Sequence, residues 1–256
     1  MKSASPAYRR DRAIVFGGLA GLCLLAWAYL FYLVRMMDRM PVAMAAPQLR
    51  GWTGAEALFC FVMWAVMMVG MMIPSATPMI MIFSRTCRKR IDQRRPYLQT
   101  GLFLLGYLTI WSAFSVIATA AQWGLQAAAL LSPTLLKSTS PILGGVILIV
   151  AGTFQWTDLK QRCLKQCRSP LNFILHDWRD GHWGAFTMGL HHGLFCLGCC
   201  WALMGLLFVT GVMNLLWVAL IGIFVLAEKV MAFQNWVSGA AGSLLVGWGA
   251  WLLLLR

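Results

Sequence analysis

The chain contains the stretch HHGLFCLGCC at residues 191–200, inside an apolar run from about residue 183 to residue 210. Such a run is long enough to cross a lipid bilayer as an α-helix, which takes roughly 20 apolar residues. Four ionisable or metal-binding side chains are spaced i, i+4, i+7 and i+8 on that helix and share one face. They are His192, Cys196, Cys199 and Cys200. The stretch therefore predicts a membrane helix with a polar stripe, and such stripes usually face the protein interior or a pathway.

The composition of the whole chain agrees with a membrane protein. Of the 256 residues, 60% are hydrophobic and only 11% are charged, whereas a soluble domain has about a quarter of its residues charged. Open sheets cannot span lipid, because their edges leave backbone groups without hydrogen bonds, so long apolar runs cross as helices. We therefore predict an all-α, polytopic transmembrane helix bundle, with residues 1–256 forming a single integral membrane domain.

Seven apolar runs are long enough to be membrane helices. They cover residues 13–34, 55–83, 97–126, 141–157, 183–210, 212–233 and 237–255. The first run is longer than the apolar part of a signal peptide, about 7–15 residues, so we expect a retained helix. With a cytoplasmic N-terminus, 16 of the 21 Lys and Arg residues fall in cytoplasmic segments, as positive-inside topology requires. This bias accounts for the net charge of +13 without a nucleic-acid partner.

The eight cysteines indicate metal binding more than disulfide formation. None of them falls in a loop that this topology places outside the cytoplasm, and structural disulfides form in oxidising compartments. Imidazole and thiolate are the ligands of soft and borderline transition metals. The alternatives are that the cysteines are small residues that allow close helix packing, or that one is a redox-active thiol. Three cysteines within five residues, one turn after a histidine, favour a metal.

The second run carries a methionine-rich segment followed by two prolines. Its methionines recur at helical spacing on two adjacent faces, with Met63, Met67 and Met71 on one and Met68 and Met72 on the other. Thioether sulfur selects copper(I) over hard ions, although methionine is also a common filler of helix cores. Pro74 and Pro78 each remove a helix hydrogen bond and predict a kink beside these candidate ligands. The methionines and the cysteine stripe lie at similar depth, so they can line one cavity if the two helices are neighbours.

A second cysteine pair lies in the polar connection after the fourth run. Cys163 and Cys167 are spaced i, i+4 among basic residues, which favour the thiolate form of a cysteine. We predict that this pair is a cytoplasmic docking point for a soft metal, and two ordinary juxtamembrane thiols are the alternative.

Little in the sequence indicates catalysis. There is no Gly-rich phosphate loop, no nucleophile elbow and no pair of histidines with an intervening glutamate on one helix. Glu228, near the end of the sixth run, is expected to pair with Lys229 or a nearby arginine, and a proton or cation relay is the functional alternative. We therefore do not predict an enzyme.

Four separated motifs resemble those of bacterial proteins described as predicted metal-binding integral membrane proteins, a family with a domain of unknown function. They are MMVGMMIPSATPM at 67–79, QWTDLK at 155–160 with Cys163 and CRSP at 167–170, CLGCCW at 196–201, and MNL at 213–215 with Glu228-Lys229. The resemblance implies metal binding, and a copper chaperone role is sometimes suggested for the family. It also implies a multi-pass protein of the bacterial cytoplasmic (inner) membrane.

These observations predict a membrane protein that binds a soft transition metal, copper(I) rather than zinc, between the second and fifth predicted helices. The predicted ligands are Cys196, Cys199 and Cys200, supported by His192, Met67, Met68, Met71, Met72, Cys163 and Cys167. We expect the metal to be transported, or to be exchanged with a donor or acceptor protein. The alternatives are a membrane thiol or metal redox enzyme, and an accessory structural subunit whose cysteines only pack helices.

Overall fold

The computed structural model describes residues 6–38, 52–90, 96–131, 136–231 and 234–254. Across these ranges the chain forms ten α-helices: α1 (Pro6–Asp38), α2 (Gly54–Arg90), α3 (Pro96–Ala127), α4 (Pro141–Phe154), α5 (Asp158–Arg168), α6 (Pro170–Asp177), α7 (Gly181–Gly205), α8 (Leu207–Thr210), α9 (Leu215–Val230) and α10 (Gln234–Leu254). Strand-like pairing in the same ranges is limited to one isolated bridge between Leu131 and Ser138. The predicted all-α class is confirmed.

Five helical segments are long and apolar enough to cross a membrane, and they match five of the seven predicted runs. They are Arg10–Met37, Gly54–Arg88, Tyr97–Ala127, Gly181–Thr210 and Trp236–Leu254. The other two runs form shorter helices than a straight crossing of roughly 20 residues needs. These are α4, with 14 residues, and α9, with 16 residues. The side of the membrane on which each end lies stays a prediction.

The helices α4 and α5 meet at a bend of 62°. Neither is long and apolar enough to cross a membrane by itself, but the two together have the length and hydropathy of one span. The bend follows from local capping. The last turn of α4 tightens at Gln155, whose N–H reaches back to the carbonyl of Gly152, and Thr157 is extended and accepts from the N–H of Lys160. A side-chain oxygen at this position supplies a bond that the first turn of a helix otherwise lacks. The polar connection thus becomes a helix that folds back and packs along α7.

The carbonyl of Gly70 shows how α2 continues through Pro74. Pro74 has no N–H to donate to this carbonyl, which lies four residues earlier in the helix. Two side chains of α1 donate to it instead, Trp27 Nε1 at 3.3 Å and Cys23 Sγ at 3.5 Å. Inside a membrane, a carbonyl that lacks its helix hydrogen bond is tolerated only where another group of the protein donates a hydrogen bond to it. The helix runs unbroken from Gly54 to Arg90, and α1 is bound to it at the proline.

Glycines allow α3 and α7 to approach closely. A Cβ atom at Gly106 of α3 would overlap the backbone of Phe186, and one at Gly189 of α7 would overlap the backbone of Phe103. Small residues let helix backbones come together in this way inside membranes, where dispersion contacts replace the hydrophobic effect as the driving force. The backbone of α3 therefore packs directly against α7, and α3 also packs against α2.

We predict that Gly106→Ala destabilises the protein, whereas Gly101→Ala on the same helix does not. The methyl group at residue 106 must displace backbone, and overpacking of this kind costs about 1–3 kcal/mol. A Cβ at Gly101 has nothing within 4 Å, and alanine is the better helix former by about 1 kcal/mol. Thermal unfolding in detergent measures both variants. Equal melting temperatures for the two would contradict the close α3–α7 contact.

Candidate functional site

The sulfur of Cys196 is the point at which side chains of four helices meet. Cys196 is fully buried in α7, and Lys229 Nζ of α9 donates to its Sγ at 3.0 Å. The hydroxyl of Tyr107, from α3, lies 3.1 Å from the same sulfur, and the thiol of Cys167, from α5, contacts it as well. A cation and a hydroxyl at one buried sulfur are an arrangement that stabilises a thiolate.

Lys229 and Tyr107 also connect this sulfur to α2. Lys229 Nζ donates to Ser75 Oγ at 2.9 Å. The Tyr107 hydroxyl lies 3.3 Å from the backbone carbonyl of Met72, so its single proton can go either to that carbonyl or to Cys196. Because α3 packs against both α2 and α7, the methionine segment and the cysteine stripe are joined through these two side chains.

The cysteines of α5 and α7 form one group, which we call the thiol cluster: Cys163, Cys167, Cys196, Cys199 and Cys200. Cys167 contacts both Cys196 and Cys199, and Cys163 Sγ lies against Gly198, where a Cβ would overlap it. The predicted docking pair of α5 therefore adjoins the α7 stripe, because α5 folds back along α7. Cys163 is half-buried, and the other four are buried.

His192 lies one turn before Cys196 and is also buried. Its ring packs among Phe103, Tyr107 and Phe173, with ring centroids 6.0, 5.7 and 5.8 Å away. Its Nδ1 atom has no hydrogen-bond partner within the described part of the chain. Buried polar atoms are nearly always partnered, so an open imidazole nitrogen beside a thiol cluster is available to a ligand.

The candidate methionines of α2 are all buried, namely Met67, Met68, Met71 and Met72. Met71 packs against Gly222 of α9, and Met72 contributes the carbonyl that Tyr107 approaches. The methionine stripe thus borders the site from the side of α2 and α9.

Lys160 and Glu228 form a second buried polar group close by. Lys160 Nζ lies 2.5 Å from Glu228 Oε1 and also donates to the side-chain oxygen of Gln155. Ser238 Oγ of α10 donates to the same carboxylate at 2.6 Å. The prediction that Glu228 pairs with Lys229 or an arginine is wrong. Neighbouring residues on a helix point in different directions, so Glu228 faces Lys160 while Lys229 faces Cys196.

Sequence reasoning missed Lys229, Tyr107 and Lys160 as parts of the site. Lys160 was placed in the polar connection after the fourth run, Lys229 was expected to pair with Glu228, and the tyrosine lies in an ordinary apolar run. The one available signal was the Glu228-Lys229 pair inside an otherwise apolar run, because charged residues at membrane depth need partners. Their actual partners come from distant parts of the chain and are not visible in local spacing.

A ready-made metal site is not present among the described residues, where no group of three or more His, Cys, Asp or Glu side chains is arranged to hold an ion. The thiols of Cys199 and Cys200 show one reason. Each donates at 3.0 Å to the backbone carbonyl of Cys196. Cysteine side chains move between staggered rotamers about the Cα–Cβ bond, so rotation can turn these sulfurs from that carbonyl toward a bound ion.

Comparison with known proteins finds one family. The family model PpoB2, described as a copper chaperone, matches residues 61–252. This interval contains every predicted ligand from Met67 to Cys200. No curated protein and no solved structure matches the chain.

We predict that Glu228→Gln is strongly destabilising and that a second change, Lys160→Met, recovers much of the loss. Removal of one partner leaves an uncompensated charge in the interior, which costs about 3–5 kcal/mol, whereas replacement of both partners by uncharged groups is often tolerated. Thermal unfolding of the single and double variants measures the coupling. Asp158→Asn, at an exposed carboxylate, is the control and should have little effect. A double variant no more stable than Glu228→Gln would contradict the pairing.

Proposed function

We propose, from the premise that this chain belongs to the PpoB2 copper chaperone family, that it binds copper(I) at the thiol cluster and delivers it to a partner protein. The observation that carries this proposal is the sulfur of Cys196, buried against Lys229 and beside the thiols of α5 and α7. Sulfur ligands select copper(I) over hard cations. The copper ion is the cargo of the protein.

The ligand set follows from the distances around Cys196. Cys196 supplies the first thiolate, and the second comes from Cys167, which contacts it, or from Cys199 or Cys200. A pair of thiolates is sufficient for copper(I), so the ion does not need the three preassembled donors that the described residues lack. The supporting donors are His192 Nδ1, which has no hydrogen-bond partner among the described residues, and the thioethers of Met67, Met68, Met71 and Met72.

The charges of the site favour copper(I) over zinc. A copper(I) ion with two thiolates carries one net negative charge, and the ammonium group of Lys229 lies beside Cys196 to offset it. Lys160 is not available for this purpose because it is paired with Glu228. A zinc ion with four thiolates would carry two negative charges against the same single cation. Uncompensated charge in an apolar interior is costly.

Cys163 supports a role in delivery. It is the half-buried member of the thiol cluster, and it lies on α5 beside the buried thiols of Cys167 and Cys199. An acceptor protein can reach a thiol at this edge and take the ion by exchange of one sulfur ligand for another. The excess of Lys and Arg in the predicted cytoplasmic segments supports a location in the bacterial cytoplasmic membrane.

We predict that the combined variant Cys196→Ser, Cys199→Ser and Cys200→Ser loses bound copper. The protein is purified in detergent, loaded with copper(I) in the presence of a competing chelator, and its metal content is measured. The control carries Cys23→Ser and Cys87→Ser, which change cysteines of α1 and α2 outside the cluster; it should retain the ion. Unchanged copper content in the triple variant would contradict the proposal and favour a packing role for these cysteines.

A further inference from the structure

A second group of sulfur side chains lies near the N-terminal end of α2. There, α1, α2, α3 and the segment before α4 line a cavity of about 420 Å³ that is open to the surface. We call this cavity the sulfur vestibule, because three of its lining residues carry sulfur: Met37 of α1 and Cys60 and Met63 of α2. Met37 and Cys60 lie outside residues 61–252, which the family model covers. The vestibule is therefore a feature of this chain that the family match does not describe.

The vestibule is connected to the thiol cluster by the methionines of α2. Met63 shares a helix face with Met67 and Met71, and all three are buried. At about 1.5 Å per residue, the distance from Met63 to Met71 along the helix is about 12 Å. Met71 packs against α9 at Gly222, and the next residue, Met72, offers its carbonyl to the tyrosine that contacts Cys196. Sulfur side chains thus recur at each turn from the cavity to the site.

Core filling alone does not account for the sulfur in the vestibule. Methionine fills irregular gaps well, yet here Met37 and Met63 border a space that remains open. The neighbouring amide of Gln122 is held in place, since its oxygen accepts from Trp64 Nε1 at 2.7 Å. The carboxylate of Glu56 is engaged by the backbone N–H and hydroxyl of Thr53. The sulfur atoms of Met37, Cys60 and Met63 are therefore the soft metal ligands that line this cavity.

We propose that the sulfur vestibule is a second copper(I) site, at which the ion enters the protein before it moves along the methionine face to the thiol cluster. This inference rests on the proposed function, since the thiol cluster is the destination. Thioethers are neutral, so they bind copper(I) reversibly and leave it with one positive charge. Thiolates beside Lys229 bind it more tightly and neutralise that charge. The ion therefore moves from weaker to stronger ligands, away from the end of α2 that the charge pattern predicts to lie outside the cytoplasm.

The test compares the rate at which copper(I) reaches the thiol cluster in two full-length variants. The vestibule variant carries Met37→Leu, Cys60→Ser and Met63→Leu. The control carries Met36→Leu, Cys23→Ser and Met81→Leu, which make the same chemical changes on α1 and α2 away from the cavity. Chelated copper(I) is mixed with protein in detergent, and ultraviolet absorbance from thiolate–copper(I) charge transfer reports loading. We expect the vestibule variant to load about tenfold more slowly, the lower end of the effect of losing a supporting ligand, and to reach the same final copper content.

The outcomes separate this inference from the proposed function. Equal loading rates for the vestibule variant and the control would overturn the entry site, while copper at the thiol cluster would still stand. The entry site has a readout of its own in a background in which every cysteine except Cys60 is changed to serine, where weak silver(I) binding should remain and should fall when the vestibule changes are added. Silver(I) binding that those changes leave intact would also overturn it. If the vestibule variant unfolds, the single variant Met63→Leu replaces it in both the copper(I) loading and the silver(I) binding measurements.

Discussion

The contact between Lys229 Nζ and Cys196 Sγ, at 3.0 Å, is the interaction on which the organisation of this protein depends. A lysine in an apolar interior is stable only beside a group that can carry negative charge, and the sulfur is that group. The same ammonium reaches Ser75 of α2, so one cation holds α2, α7 and α9 at a common point. A soft ion that binds there meets a sulfur beside a cation that can offset the charge of a thiolate.

The second buried ion pair makes this arrangement possible. Lys160 neutralises Glu228, with Ser238 of α10 on the same carboxylate, so the carboxylate does not compete with Cys196 for Lys229. The pair also fixes α5 in its folded-back position, which brings Cys167 to Cys196 and Cys199. The bend after α4 thus has a consequence for the site, because without it the cysteines of α5 would lie away from those of α7.

Hydrophobic periodicity was sufficient to predict the all-α class, the five long spans and the shared face of His192, Cys196, Cys199 and Cys200, because these depend on local composition and helical spacing. The bend at the end of α4 was not predicted, since it depends on a cap at Thr157 within a segment of mixed polarity. Tyr107 and Lys229 were missed for another reason. Their roles come from contacts across 89 and 33 positions of the chain, and neither contact leaves a local pattern. Lys160 was counted with the cytoplasmic charges and Lys229 was taken as the partner of Glu228, so neither lysine was expected at its actual partner.

The central claim is that copper(I) is bound by sulfur at Cys196. X-ray absorption at the copper edge, recorded on the loaded protein in detergent, tests it most directly because it reports both the oxidation state and the nearest ligand atoms. The account predicts copper(I) with sulfur as the nearest neighbours, and a loss of sulfur neighbours in Cys196→Ser. A nearest shell of oxygen or nitrogen, unchanged by Cys196→Ser, would contradict it.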